Sequence, residues 1–110
     1  MTRARHCGAC GSSGHDVRSC NDDVRFAAFL LGQARDQASS SGAELMRTAG
    51  LVSSARSKAL AGDVIEALEW CNKSIDDWPV DNEGKWPAAV AMNKVLQARN
   101  RLTRFVEAGR

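Results

Sequence analysis

Apolar residues recur along much of this chain at intervals of three and four positions, which is the period of an amphipathic helix. The first such stretch predicts a helix from Val24 to Ala38, preceded by Asn21-Asp22-Asp23, which offers a side-chain acceptor and negative charge to the first turn. Its predicted inner residues are Ala27, Leu30, Leu31, Ala34 and Ala38.

A second helix is predicted beyond the run Ser39-Ser40-Ser41-Gly42, which interrupts the first. Ser41 and Glu44 form the S-x-x-E pattern of a capping box, in which each side chain bonds the other residue's backbone N–H. The start of the second helix is therefore placed at Ser41. Its predicted inner residues are Leu45, Ala49, Val52 and Ala59.

A third helix is predicted after Gly62, which can adopt the left-handed conformation that ends a helix, and Asp63, which can cap the next one. Pro79 closes it. Its predicted inner residues are Val64, Leu68, Cys71 and Ile75. The hairpin over residues 55–75 faintly resembles a tetratricopeptide helix pair, although the chain contains no second copy of it.

A fourth helix is predicted to start near Pro87, a residue suited to the first helical turn, and to run almost to the end. Its apolar stripe consists of Ala88, Ala91, Val95, Ala98, Leu102 and Phe105. This stripe packs either on the other helices or on a second copy of the chain, and its small residues favour the first alternative. We thus expect an all-α bundle of three to four helices over residues 22–110.

The amino-acid composition indicates which class of protein this is. Of the 110 residues, 44% are apolar and 25% are charged, as in soluble globular proteins. No apolar run approaches the roughly 18 residues of a membrane span, and the basic start is not followed by a signal-peptide core. We expect a cytoplasmic, reducing environment and no membrane partner.

The N-terminal segment, residues 1–21, carries the clearest chemistry. Three cysteines and a histidine follow the pattern C-x2-C-x4-H-x4-C, formed by Cys7, Cys10, His15 and Cys20. Three thiolates and one imidazole complete a tetrahedral shell around Zn²⁺ and leave no position for a substrate, which predicts one structural zinc ion. Gly11 and Gly14 allow the backbone to fold back between the ligands. His6 is a rival ligand, but the spacing favours His15.

This segment resembles the CCHC zinc knuckles, including the order C-G-x-x-G-H and a basic residue, Arg18, before the last cysteine. The resemblance implies binding of single-stranded RNA or DNA, with an unpaired base held by the knuckle and stacked on an aromatic side chain. Here the position after the first cysteine is Gly8, and no aromatic residue lies between Met1 and Asp23. Stacking contributes about 1–3 kcal/mol per base. A knuckle without it is expected to bind a single strand weakly unless another part of the protein adds contacts.

Basic residues are predicted to provide these additional contacts with the nucleic acid. The formal net charge is only +2, but its distribution is uneven, since acids dominate the third helix and bases the fourth. Arg3, Arg5 and Arg18 are predicted to contact phosphate near the knuckle. Lys94, Arg101 and Arg104 share one face of the fourth helix and are predicted to extend this contact. The alternative for that face is a solvated surface, or one paired with the acids of the third helix.

Two functions follow from these features. The first is a small non-enzymatic protein that binds single-stranded nucleic acid. The second is a protein-interaction or assembly factor, such as one from a bacteriophage, in which the knuckle is a docking element. Trp70, Trp78 and Trp86 favour the second if they are exposed, because tryptophan is enriched at interfaces, but Trp78 and Trp86 can equally belong to the core.

An enzyme is not expected. The chain has no Gly-rich phosphate loop, no H-E-x-x-H pattern and no Ser-His-Asp arrangement to propose. No small-molecule substrate is therefore predicted. Cys71 falls on the apolar side of the third helix, where a buried, inert thiol is expected.

Overall fold

Four α-helices make up the part of the chain that the structure describes. The computed structural model describes residues 22–79 and 86–109. The helices are α1 (Asp23–Ser41), α2 (Met46–Leu60), α3 (Val64–Asp76) and α4 (Trp86–Gly109), with a 3-10 turn at Ala43–Leu45. No strand occurs in the described ranges. The predicted all-α class is confirmed, and the hairpin predicted across Gly62 and Asp63 is formed by α2 and α3.

Two of the predicted helix starts are confirmed by their capping bonds. The carboxylate of Asp22 accepts a hydrogen bond from the backbone N–H of Arg25, and that of Asp63 accepts one from Glu66. Gly62 has a φ of 85°, a left-handed conformation that glycine adopts at little cost. The turn between α2 and α3 is therefore built from local signals alone.

The predicted start of the second helix at Ser41 is wrong. Ser41 is the last residue of α1, and its hydroxyl donates to the carbonyl of Gln37 at 2.7 Å. A serine side chain can bond back to the preceding turn in this way, which removes it as a cap. The chain instead turns at Gly42, where φ is 143°, and α2 begins at Met46.

The helices form an antiparallel bundle in which each packs on its neighbours in sequence and α4 packs on α1. The direction of α4 follows from two contacts. Arg101 reaches Asp23 at the start of α1, whereas Lys94 reaches Gln33 further along it. The beginning of α1 and the later part of α4 therefore share one end of the bundle.

The core is built mostly from small side chains. Eleven of the twenty buried apolar residues in the described ranges are alanine, which lets the helix backbones approach closely. The predicted inner residues of α1 and α2 are all buried. In α3, Val64 and Cys71 are buried, while Leu68 and Ile75 pack against the core from its edge.

The apolar stripe of α4 is buried within the chain from Ala88 to Leu102, as the intramolecular alternative predicted. Phe105 is the exception, because 49% of its surface is exposed. The side chains of Arg101 and Arg104 already reach Asp23, the first residue of α1. Phe105 lies beyond that level, so α1 does not cover it, and its predicted core position is wrong.

Two of the three tryptophans are described in full. Trp78 is buried in the core, so the core alternative is confirmed for it. Trp70 packs at the edge of the core, and the ammonium of Lys73 lies 4.4 Å from its ring centroid. None of the helices in the described ranges is long and apolar enough to cross a membrane.

Candidate nucleic-acid interface

The predicted zinc ligands Cys7, Cys10, His15 and Cys20 lie outside the described residues. The predicted phosphate contacts Arg3, Arg5 and Arg18 also lie outside them. Within residues 22–79 and 86–109, no group of three or more His, Cys, Asp or Glu side chains is placed to hold a metal ion. The zinc site and its arginines therefore stay predictions of the sequence.

The three predicted basic residues of α4 all contact α1. The ammonium of Lys94 donates to Gln33 at 2.8 Å, and the guanidinium groups of Arg101 and Arg104 both donate to Asp23. Arg101 and Arg104 are thus brought together, whereas Lys94 lies seven residues, or about 10 Å of helix, away from Arg101. Arg101 and Arg104 pair with Asp23 on α1. The alternative in which this face pairs with the acids of α3 had placed the acidic partner on a different helix.

Asp23 joins the two arginines. Only 15% of its side chain is exposed, while 63% of the Arg104 side chain is exposed. Burial of the Asp23 carboxyl on its own raises its pKa, but hydrogen bonds and positive charge from Arg104 and Arg101 outweigh burial and hold that pKa below its ordinary value. The carboxylate is therefore charged at neutral pH, and two positive charges surround one negative charge.

An aromatic ring lies directly beside these arginines. The guanidinium carbon of Arg101 is 4.1 Å from the ring centroid of Phe26, a cation–π contact. Both residues line a surface hollow of about 410 Å³, the α1–α4 hollow. Its lining residues are Phe26, Gln97, Asn100, Arg101 and Arg104. The hollow combines positive charge, amide groups and an aromatic side chain, which are the groups that bind an unpaired nucleotide.

A second hollow, of about 270 Å³, lies on the other side of α1 between α1 and α2. Phe29 lines it, and the rings of Phe29 and Phe26 stack with 6.4 Å between centroids. Neither phenylalanine was among the site residues predicted from the sequence. Their positions beside the predicted inner stripe of α1, rather than on it, are the sequence feature that indicates their partial exposure.

Replacing Asp23 with asparagine is expected to destabilise the protein at neutral pH and to have little effect in acid. The pKa of Asp23 is lower in the folded than in the unfolded chain, so its carboxylate stabilises the fold above about pH 4, and this contribution is lost as the pH falls through the folded pKa. Urea midpoints of the wild type and Asp23→Asn at about pH 7 and at an acid pH below the folded pKa of Asp23 measure the difference.

Asp36→Asn is the matched control, because Asp36 is exposed, lies on the same helix and pairs with its neighbour Arg35. An exposed pair of this kind contributes little, so its loss is expected to leave both midpoints unchanged. A destabilisation by Asp23→Asn that is equally large in acid would contradict the electrostatic explanation.

The chain was also compared with known proteins. No protein-family model, no curated protein and no solved structure matches it.

Proposed function

We propose that this chain is a small, non-enzymatic protein that binds single-stranded RNA or DNA through a zinc knuckle and the α1–α4 hollow together. The zinc ligands are Cys7, Cys10, His15 and Cys20, and Arg3, Arg5 and Arg18 contact phosphate beside them. The knuckle has no aromatic side chain of its own. The α1–α4 hollow supplies one, Phe26, together with the cations Arg101 and Arg104.

The observation that carries this proposal is the position of the hollow at the start of α1. Cys20, the last predicted zinc ligand, precedes Asp23 by only three residues, and a chain of that length spans at most about 11 Å. Asp23 is the residue that holds Arg101 and Arg104. A nucleotide bound by the knuckle is therefore expected to lie close to Arg101, Arg104 and Phe26 of the α1–α4 hollow.

Lys94 is part of the proposal only as an outer contact. Its ammonium is bound to an uncharged amide, so its positive charge is not neutralised by that contact. It lies on α4 about two helical turns from Arg101, which suits the next phosphates of the same strand. Phosphate binding at these residues contributes affinity without sequence preference.

Zinc-loaded wild-type protein is expected to bind labelled single-stranded oligonucleotides with micromolar or tighter affinity, measured by fluorescence anisotropy. Binding should weaken as salt rises, because phosphate contacts release counterions. Cys10→Ser is expected to lose the zinc ion and this binding, because metal binding and folding of such a short segment are one event.

Cys71→Ala is the control, since it removes a thiol that is buried in the core and is not a predicted ligand. It should retain both zinc and binding. A folded, zinc-containing sample that binds neither RNA nor DNA would disprove the proposed function.

The second candidate function is a protein-interaction or assembly factor. The observation that favours it is the pair Phe105 and Val106, two apolar residues exposed on the part of α4 beyond the start of α1. Trp78 does not support it, because that side chain is buried. This candidate would be favoured if the folded, zinc-containing protein does not bind nucleic acid but self-associates or binds a partner protein through Phe105.

A further inference from the structure

The second hollow, which lies between α1 and α2 and is called the α1–α2 hollow below, combines three arginines with an aromatic and an aliphatic side chain. The lining residues that carry these properties are Arg25, Phe29, Arg35, Asp36, Arg56 and Leu60. The single acid among them, Asp36, is bound to Arg35 at 3.0 Å. The hollow therefore keeps a net positive charge, and its apolar part is open to solvent, since 56% of Leu60 is exposed.

We propose that this hollow is a second binding site for the same single strand, in which Phe29 stacks on a base and Arg56 and Arg25 bind its phosphates. The inference rests on the proposed function and extends it to residues that neither the knuckle nor α4 contains. It makes α1 the centre of the nucleic-acid surface, with one binding site on each side.

Arg56 is the residue that most clearly suits an external anion. It lies on α2, and it forms no ion pair or hydrogen bond within the described ranges, whereas Arg25 contacts Asp22 and Arg35 contacts Asp36. Its side chain crosses Gly32 of α1, where an added Cβ would lie only 3.2 Å from the Arg56 Nε atom. The missing side chain at Gly32 thus gives the guanidinium its place in the hollow.

Phe29 supplies the stacking surface. It is partly exposed, and it lies against Phe26 with 22° between the ring planes. The two stacked rings connect the α1–α2 hollow with the α1–α4 hollow over the outer surface of α1. A strand that leaves Phe26 can therefore reach Phe29 without leaving the aromatic surface.

These groups favour a single strand over a duplex. Base–aromatic stacking needs an unpaired base with an open face, which a duplex keeps inside its own stack. The positive charge matches a phosphate backbone, and arginine binds phosphate through paired N–H donors. Phe29 and Arg56 thus provide one contact of each kind.

The test uses full-length, zinc-loaded protein and a labelled single-stranded oligonucleotide, with affinity measured by anisotropy at several salt concentrations. Phe29→Leu keeps an apolar side chain but removes the ring, and about tenfold weaker binding is expected. Arg56→Gln is expected to weaken binding several-fold and to lower the slope of log affinity against log salt by about one.

Arg47→Gln is the matched control, because Arg47 lies on the same helix as Arg56 but pairs with Asp77, the residue that follows α3, outside the hollow. It removes the same charge and should leave affinity and slope nearly unchanged. Thermal unfolding of each variant shows that the fold is kept.

The outcomes separate this inference from the proposed function. Wild-type binding that Cys10→Ser abolishes, but that Phe29→Leu and Arg56→Gln leave intact, overturns the second site and leaves the knuckle function standing. Binding that Cys10→Ser leaves intact, but that Arg56→Gln and Phe29→Leu weaken, supports the hollow and overturns the knuckle as the main element. A loss equal to that of Arg47→Gln shows only a general charge effect and also overturns the second site.

Discussion

Replacing Leu31 with alanine is expected to lower the free energy of unfolding by about 2–5 kcal/mol. Leu31 is fully buried in α1 and is among the largest buried side chains of the core. The loss combines the apolar transfer free energy of the removed atoms with the cost of the cavity they leave. Because more than half of the described core residues are alanines, the core has few long side chains that could extend into that cavity. Urea denaturation followed by far-ultraviolet circular dichroism measures the change.

Leu60→Ala provides the control for Leu31→Ala, because the same atoms are removed from an exposed leucine at the end of α2. Its effect on stability should be within about 0.5 kcal/mol of zero. A small domain has a total stability of about 5–15 kcal/mol, so the expected loss at Leu31 is a large part of it. Equal effects of the two substitutions would contradict the burial of Leu31 and the close packing of α1.

The opposite change, Ala98→Leu, is expected to destabilise the protein by about 1–3 kcal/mol through overpacking. Ala98 is fully buried on the stripe of α4, where small residues set the distance between helices. A leucine there must separate α4 from its neighbours or adopt a strained rotamer. The change is measured by the same urea titration.

Ala89→Leu is the matched control, since Ala89 lies on the exposed side of the same helix. Leucine and alanine have similar helix propensities, so this substitution should change stability by only a few tenths of a kcal/mol. If Ala98→Leu were equally neutral, α4 would not be packed closely against the bundle in solution.

The sequence predicted the helices well where the signal is local. Asp22 and Asp63 begin helices because each carboxylate accepts a hydrogen bond from a backbone N–H three residues later. The helix start predicted at Ser41 is wrong because the Ser41 hydroxyl can bond either the backbone N–H of Glu44 or the carbonyl of Gln37. It donates to the carbonyl of Gln37. A capping pattern alone does not decide between these alternatives.

Features that depend on the relative position of the helices could not be predicted from the sequence. Arg101 and Asp23 are separated by 78 positions, so their contact requires the packing of α4 on α1. Phe105 continues the apolar period of α4, yet only the position of α1 in space shows that the stripe ends at Leu102. The two hollows beside α1 were unpredictable for the same reason, since each is formed by two helices. The predicted zinc ligands, in contrast, form a local pattern that the sequence contains completely.

The burial of Cys71 separates the chemistry of its thiol from that of the other three cysteines. Burial raises the pKa of Cys71 to about 12, so that only about one molecule in 10⁵ carries the thiolate at neutral pH. Because the thiolate is the form that reacts with oxidants and binds metals, Cys71 neither competes for zinc nor exchanges with disulfides. Oxidation of Cys7, Cys10 and Cys20, the predicted zinc ligands, would thus not extend to the thiol of Cys71 in the helical bundle.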